Sequence, residues 1–260
     1  MTKPLLSAYR VYASTWSTIE YLPYAKLKNE IHIVLAFARD YDGEGKYQNG
    51  KFFPYFETSK LNADEIQNIK DRAASTSIKF FLSIGAPHSK FPFAVTSAQE
   101  CDWRKNATES LKQIVQNYKI DGIDVYYEHI NPDAMHQFGN SIEKVMWSLK
   151  SNNIITDASI TVSAPLRKYY FDLYKKNEKL FDYVVYQSHT ELSRISTFQE
   201  LGAVFDKLLY PKNKILAGHS DVAPGDWTNV PPPIFLGAVP QLLDKQGLFG
   251  ISKWIVTGLL

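Results

Sequence analysis

Eight short apolar runs recur along this chain, separated by stretches with helical periodicity, at a spacing of roughly 30 residues. They are Leu5–Tyr9, Ile31–Ala38, Lys79–Gly85, the run after Asp121, Ser159–Ala164, Tyr183–Ser188, Lys214–Gly218 and Phe249–Val256. Strand–helix alternation of this kind builds parallel βαβ units, and eight such units close into a barrel. Ile31–Ala38 is almost continuously apolar, as expected of a parallel strand covered on both faces. The expected fold is therefore α/β, a (β/α)8 TIM barrel in one domain over residues 1–260. Its 260 residues suit that architecture. The sequence stops at Leu260, directly after the eighth run, so a last helix is expected to be missing or to lie beyond it.

The helices are signalled by stripes and caps. Ile19–Lys28 reads as a short helix. Arg39–Ser59 has no helical period and reads as a long excursion with a small hairpin. Asn62 caps the next helix, with Glu65 placed as in a capping box. Leu111, Ile114, Val115 and Tyr118 form one stripe, and Phe138, Ile142, Val145, Met146 and Leu149 another. Asn131-Pro132 starts the second of these, and Pro231-Pro232-Pro233 opens the last helix. Tyr169, Tyr170, Phe171 and Tyr174 fall on a short helix or loop, and Ile195–Leu209 on a helix.

The fourth run carries the chemistry: Asp121-Gly122-Ile123-Asp124-Val125-Tyr126-Tyr127-Glu128-His129-Ile130. On a strand, Asp124, Tyr126 and Glu128 share one face, while Ile123, Val125 and Tyr127 share the face under the helices. Two carboxylates on an inward face are costly to bury without a function. The bland alternative is a strand end with solvated acids. The stretch resembles the D-G-x-D-x-D-x-E signature of family 18 glycoside hydrolases, the chitinases. Asp121, Gly122, Asp124 and Glu128 match it, and Tyr126 stands where the family has an aspartate. Tyr-Glu-His-Ile is most similar to the narbonin and RuBisCO-associated branch of legume proteins, regarded as chitinase-like barrels without chitinase activity.

The resemblance implies a mechanism and shows what this chain lacks for it. The family glutamate protonates the leaving oxygen, and the substrate's own acetamide attacks the sugar carbon. The middle aspartate holds the acetamide and balances the developing charge. Tyr126 is neutral at pH 7 and far larger, so it supplies no such charge and projects into the sugar's space. Ser83 and Gly85 match the family S-x-G-G pattern, with Ala86 replacing the second glycine. Gln187 matches the family Q-x-Y, but His189 stands at its tyrosine. Trp254 matches the tryptophan that floors the sugar subsite, with a plain core tryptophan as the alternative, and Tyr9 falls at a barrel-lining aromatic. The implied site is thus Glu128 as a vestigial acid with Asp124, and Tyr126, Gln187, Trp254, Tyr9 and His189 around a glycan.

Other chemistry is not signalled. His32, His88, His136 and His219 are scattered, without zinc-ligand spacing, so no metal is expected. No phosphate-binding glycine motif is present, Gly43-Glu44-Gly45 lacking the strand–helix context, and no cofactor is expected. Ser83 and Ser163 have no evident His/Asp partners. A net charge of +2 does not argue for nucleic acid or a membrane surface. No apolar stretch approaches the ~18 residues of a membrane span. Cys101 is the only cysteine, so no disulfide forms within the chain. With no apolar leader at the N-terminus, the expected location is the cytoplasm. Three readings stay open: a chitinase-like plant protein without hydrolysis in seed storage or another non-enzymatic role, a lectin-like protein holding chito-oligosaccharides weakly, and a weak or repurposed enzyme using Glu128. A protein partner is left unspecified.

Overall fold

The computed structural model describes residues 6–20, 22, 30–72, 76–87, 89–220 and 229–254. Leu5 of the first run, Tyr21 and Pro23–Lys28 of the expected first helix, His88 and Ile255–Val256 of the eighth run lie outside them. Eight parallel strands close into a barrel: β1 Ala8–Ala13, β2 Glu30–Arg39, β4 Ile78–Ala86, β5 Gly122–Tyr127, β6 Asp157–Val162, β7 Tyr183–Gln187, β8 Ile215–Ser220 and β9 Gly250–Trp254. Closure is made by β1, which pairs with β2 on one side and with β9 on the other. The remaining strand, β3 Phe53–Pro54, pairs antiparallel with the end of β2 and belongs to the excursion after it. Helices α1 Trp16–Glu20, α2 Ala63–Arg72, α3 Glu100–Tyr118, α4 Met135–Ser151, α5 Arg167–Lys176, α6 Phe198–Asp206 and α7 Pro232–Asp244 fill the connections.

The pleat divides side chains between two cores. On β2, Ile31, Ile33 and Leu35 face the helices, while Val34 and Ala36 face the lumen. On α4, Phe138, Ile142, Val145, Met146 and Leu149 form the predicted buried stripe, none more than 1% exposed. Truncating one such aliphatic residue to alanine costs ~2–5 kcal/mol. Asn62 caps α2 as expected, accepting from the amides of Asp64 and Glu65 at 3.1 and 3.0 Å. The reciprocal half of the box is not made, because Glu65 pairs with Arg72 one face along the helix. The excursion contains a Tyr41–Tyr47 antiparallel bridge and is tied to α3 through Asp40. Asp40 accepts from Trp103 Nε1 at 2.8 Å and from the Gly50 amide at 3.3 Å. Burial pushes its carboxyl up to about 6.

One strand is displaced from its expected place. The first strand runs Ala8–Ala13, not Leu5–Tyr9. The apolar run in the sequence breaks at Arg10, and Arg10 and Tyr12 are the residues that point into the lumen, where polar partners meet them. Tyr9 is therefore corrected from a lumen aromatic to a partly buried residue packed on the outer core. Tyr12 occupies the inward position. Where both are described, the other strand ends lie within two residues of expectation, except that β5 ends at Tyr127, three residues before Ile130.

Candidate active site

The barrel lumen is filled with paired charge. At its lower end, where the strands begin, Lys79 Nζ donates to Asp157 at 2.9 Å and to the Tyr183 hydroxyl at 2.9 Å, and lies 3.4 Å from Glu30. Tyr183 donates to Glu30 at 2.6 Å, and His32 Nε2 meets the same carboxylate. Arg10 Nε reaches His32 Nδ1 at 3.3 Å, so Nδ1 is the acceptor and the ring is neutral with its proton toward Glu30. Burial holds His32 down at about 4. Burial alone would raise Glu30, but hydrogen bonds from His32 and Tyr183 bring it down to about 2.

Asp124 sits one layer higher and is fully buried. Its carboxylate pairs with Arg10 Nη1 at 3.2 Å and accepts from Tyr12 at 3.0 Å, Ser83 at 3.1 Å, Ser159 at 2.6 Å and Thr161 at 3.0 Å. Arg10 itself lies 4.3 Å over the Phe81 ring. A buried carboxylate with this many donors is satisfied where it stands, and breaking the set would strand a charge. The strands supply the donors by register: Ser83 and Ser159 are the direct neighbours of Asp124 on β4 and β6.

Tyr126 comes next toward the mouth. It is 2% exposed, and its ring packs against Trp254 at 5.6 Å, Phe37 at 5.8 Å and Tyr12 at 6.3 Å between centroids. Its hydroxyl donates to Glu128, and Gln187 lies 3.2 Å from the same oxygen. The structure places Gln187 Oε1 on that hydroxyl; one O–H cannot serve two acceptors, so the amide is assigned in the flipped orientation, with its NH2 group toward the phenol. Burial, and next the Glu128 charge, push the Tyr126 phenol well above its usual value, so it stays neutral. Burial raises Glu128 to about 7, against the hydrogen bond from Tyr126, which lowers it. A carboxyl poised near neutrality can give or take a proton. Here its nearest oxygen partner is a phenol of its own chain.

Close packing behind this row has a backbone cause. Gly85 on β4 has φ +100°, and a Cβ there would stand 2.3 Å from the Tyr126 carbonyl oxygen. Beside Tyr126, a crevice of about 160 Å3 is lined by Tyr12, Val185, Gln187, His189, Gly218, His219, Ser252 and Trp254, and it is too narrow to hold a water-sized sphere. His189 follows β7 in a single 3-10 turn, its Nδ1 without a hydrogen-bond partner. Burial, and then His219, hold it down at about 3, so it is a neutral ring beside the crevice. Trp254 stacks on Tyr12 at 5.0 Å and Phe37 at 5.6 Å while remaining partly exposed.

Of the expected site residues, Asp124, Tyr126, Glu128, Gln187, His189 and Trp254 converge on the mouth, and Tyr9 does not. Arg10, Tyr12, Phe37, Ser159 and Thr161 complete the site unannounced by any motif. Inward alternation from Asp124 to its neighbouring strands was the signal available for Ser159 and Thr161. Among the described residues, no three metal-binding side chains are grouped, and no helix is long and apolar enough to cross a membrane.

Comparison with known proteins bears on the family and the fold. The family model described as glycosyl hydrolases family 18 matches residues 9–214. The chain is 35% identical over 239 residues to the RuBisCO-associated protein of Glycine max, covering 88% of this chain and 83% of that one. It is 29% identical over 235 residues to Chitinase 1 of Tulipa saxatilis subsp. bakeri, covering 86% and 72%. Among solved structures, the family 18 chitinase from Crocus vernus superposes with a TM-score of 0.81 at 26% identity, covering 95% of this chain and 92% of that one. The catalytic domain of a fern chitinase, from Peteris ryukyuensis, gives a TM-score of 0.80 at 26% identity, covering 95% and 90%.

Proposed function

The chain belongs to family 18 of the glycosyl hydrolases, and we propose that it is a chitinase-like plant protein that does not hydrolyse chitin and serves a storage or other non-enzymatic role. The observation that carries this reading is Tyr126, standing between Asp124 and Glu128 with its hydroxyl on Glu128 and its ring sealed by Trp254 and Phe37. A family reaction needs the acid free to reach the leaving oxygen and a carboxylate to position the acetamide. Tyr126 engages the first and replaces the second with a neutral phenol. Loss of one group that stabilises developing charge costs ~10²–10³ in rate, and exclusion of the sugar from the subsite adds to it. Asp124 survives, but its donors are those of a structural carboxylate.

The test is turnover of a fluorogenic chitobioside by wild type, Tyr126→Asp and Tyr126→Asp/His189→Tyr. Wild type should stay at background, and the variants should recover little, because members of a catalytic set act as a unit. Wild-type turnover that disappears in Glu128→Gln would refute the proposal and make Glu128 a working acid.

Trp254 supports a second, lectin-like reading, since its partly exposed ring borders the crevice. Sugars stack on such faces, but the crevice as it stands takes no ring. Calorimetry with a hexamer of N-acetylglucosamine separates the two: micromolar affinity that is lost in Trp254→Ala favours the lectin. The relative from Glycine max is called RuBisCO-associated, and association with another protein is one form the non-enzymatic role could take. A single exposed cysteine, Cys101, is compatible with the proposed cytoplasmic location, which cell fractionation would check.

A further inference from the structure

Arg39 ends β2 at the rim of the mouth, and it is the cation that the lumen network does not use. It is 5% exposed. None of the ion pairs among the described residues includes it. Its sequence neighbour Asp40 is committed elsewhere, to Trp103 and the Gly50 amide. Arg10 offers the contrast: also buried, it is paired with Asp124 through Nη1 and leaves only Nη2 without a partner.

The surroundings of Arg39 are aromatic. Its guanidinium carbon lies 4.3 Å from the Phe91 ring centre, 5.0 Å from Tyr55 and 5.8 Å from Phe37. Ring faces attract the delocalised charge but accept no conventional hydrogen bond from N–H groups in the guanidinium plane. Nε and Nη2 have no hydrogen-bond partner. Those two nitrogens form one edge of the guanidinium, with parallel N–H bonds spaced to meet both oxygens of a carboxylate. A buried cation with an empty bidentate edge is costly, and an incoming carboxylate removes that cost.

We propose that Arg39, with Tyr55 and Phe91, forms a rim site for the carboxylate of an acidic sugar, a hexuronate residue in a saccharide. The fork alone would take two phosphate oxygens as well as a carboxylate, but a lone guanidinium carries one positive charge and so balances the single charge of a carboxylate. The ring faces suit the sugar body. Phe37 joins this rim to the row of Tyr126 and Trp254, so a saccharide on Arg39 lies against the mouth without entering it. Nε and Nη2 are covered in the structure, so the carboxylate reaches them only as the rim side chains around Arg39 shift; Phe91, 4.3 Å from the guanidinium carbon, is partly exposed. The inference is independent of whether Glu128 retains activity.

Calorimetric titration of the full chain with trigalacturonate at low salt tests it, beside a neutral galactose trisaccharide and inorganic phosphate. Binding of trigalacturonate alone, weakened by added salt, is expected. Arg39→Gln should weaken it about tenfold or more. Arg39→Lys, which keeps the charge and the fold but not the fork, should lose nearly as much, since the paired geometry is what is lost. Phe91→Ala, which removes one ring face of the site and leaves the guanidinium, should weaken binding less than Arg39→Gln does. Circular dichroism confirms that each variant is folded. No binding by folded wild type, or binding unchanged in Arg39→Lys and Arg39→Gln, would overturn the site. Phosphate binding as well as trigalacturonate would overturn the carboxylate assignment.

Discussion

Replacing Glu128 by Gln should make the protein more stable above pH 7 and leave it nearly unchanged at pH 5. Glu128 is held near 7 against an ordinary 4.5, chiefly by burial. Between those values the folded state keeps a proton that the unfolded chain has released, so stability falls as pH rises through the window. Holding the carboxyl at about 7 rather than 4.5 corresponds to ~3 kcal/mol, at about 1.36 kcal/mol for each tenfold change in proton affinity. Partial exposure of the side chain trims this to ~1–3 kcal/mol. Gln is nearly isosteric and can still accept from Tyr126 through its amide oxygen, so the substitution removes the charge and little else. Asp40, raised to about 6, acts with the same sign but is common to both proteins and cancels in the difference. Urea unfolding of wild type and Glu128→Gln at pH 5 and pH 8 gives the quantity directly, with m unchanged and the midpoint higher for the variant at pH 8. A variant that is equally stable, or less stable, at pH 8 would refute the claim that Glu128 is a desolvated carboxyl capped by Tyr126.

Two further outcomes follow from the lumen network. Asp124→Ala removes the partner of Arg10 and leaves a buried cation, and should cost ~3–5 kcal/mol in urea unfolding, against ~1 kcal/mol or less for a surface aspartate. His32→Asn should gain on wild type by ~2 kcal/mol between pH 7 and pH 5. The neutral His32 of the fold titrates near 4, the unfolded one near 6.5, so the stability it contributes is lost as pH falls through that window; paired unfolding curves at the two pH values measure it.

Sequence reasoning reached the barrel because its evidence is periodic. A buried parallel strand must be apolar on both faces and a covering helix must carry a stripe, so Ile31–Ala38 and the α4 stripe announce themselves. The displaced first strand shows where that logic stops. Alternation assumes that inward means apolar, yet the lumen of this barrel is built from Arg10, Asp124, His32 and Lys79. A lumen held by paired charge writes inward positions as polar letters, which in a short strand look like its end.

The motif residues were legible for a different reason: Asp124, Tyr126 and Glu128 lie two apart on one strand, and the pleat alone brings them to one face. What the pleat does not carry is where their partners come from. The donors to Asp124 arrive from β1, β4 and β6, and the rings around Tyr126 from β1, β2 and β9. Closure of the barrel brings β1 and β9 side by side although they are the first and last strands in sequence. The altered letter thereby acquires its meaning from the far ends of the chain. A tyrosine in the place of an aspartate predicts a lost charge from sequence alone, whereas a tyrosine packed by Tyr12, Phe37 and Trp254 and bonded to Glu128 is a residue the mouth has been rebuilt around. Restoring the aspartate would then leave a hole lined with aromatic rings and a carboxylate without a donor, which is the physical reason to expect Tyr126→Asp to lose stability without gaining a working site.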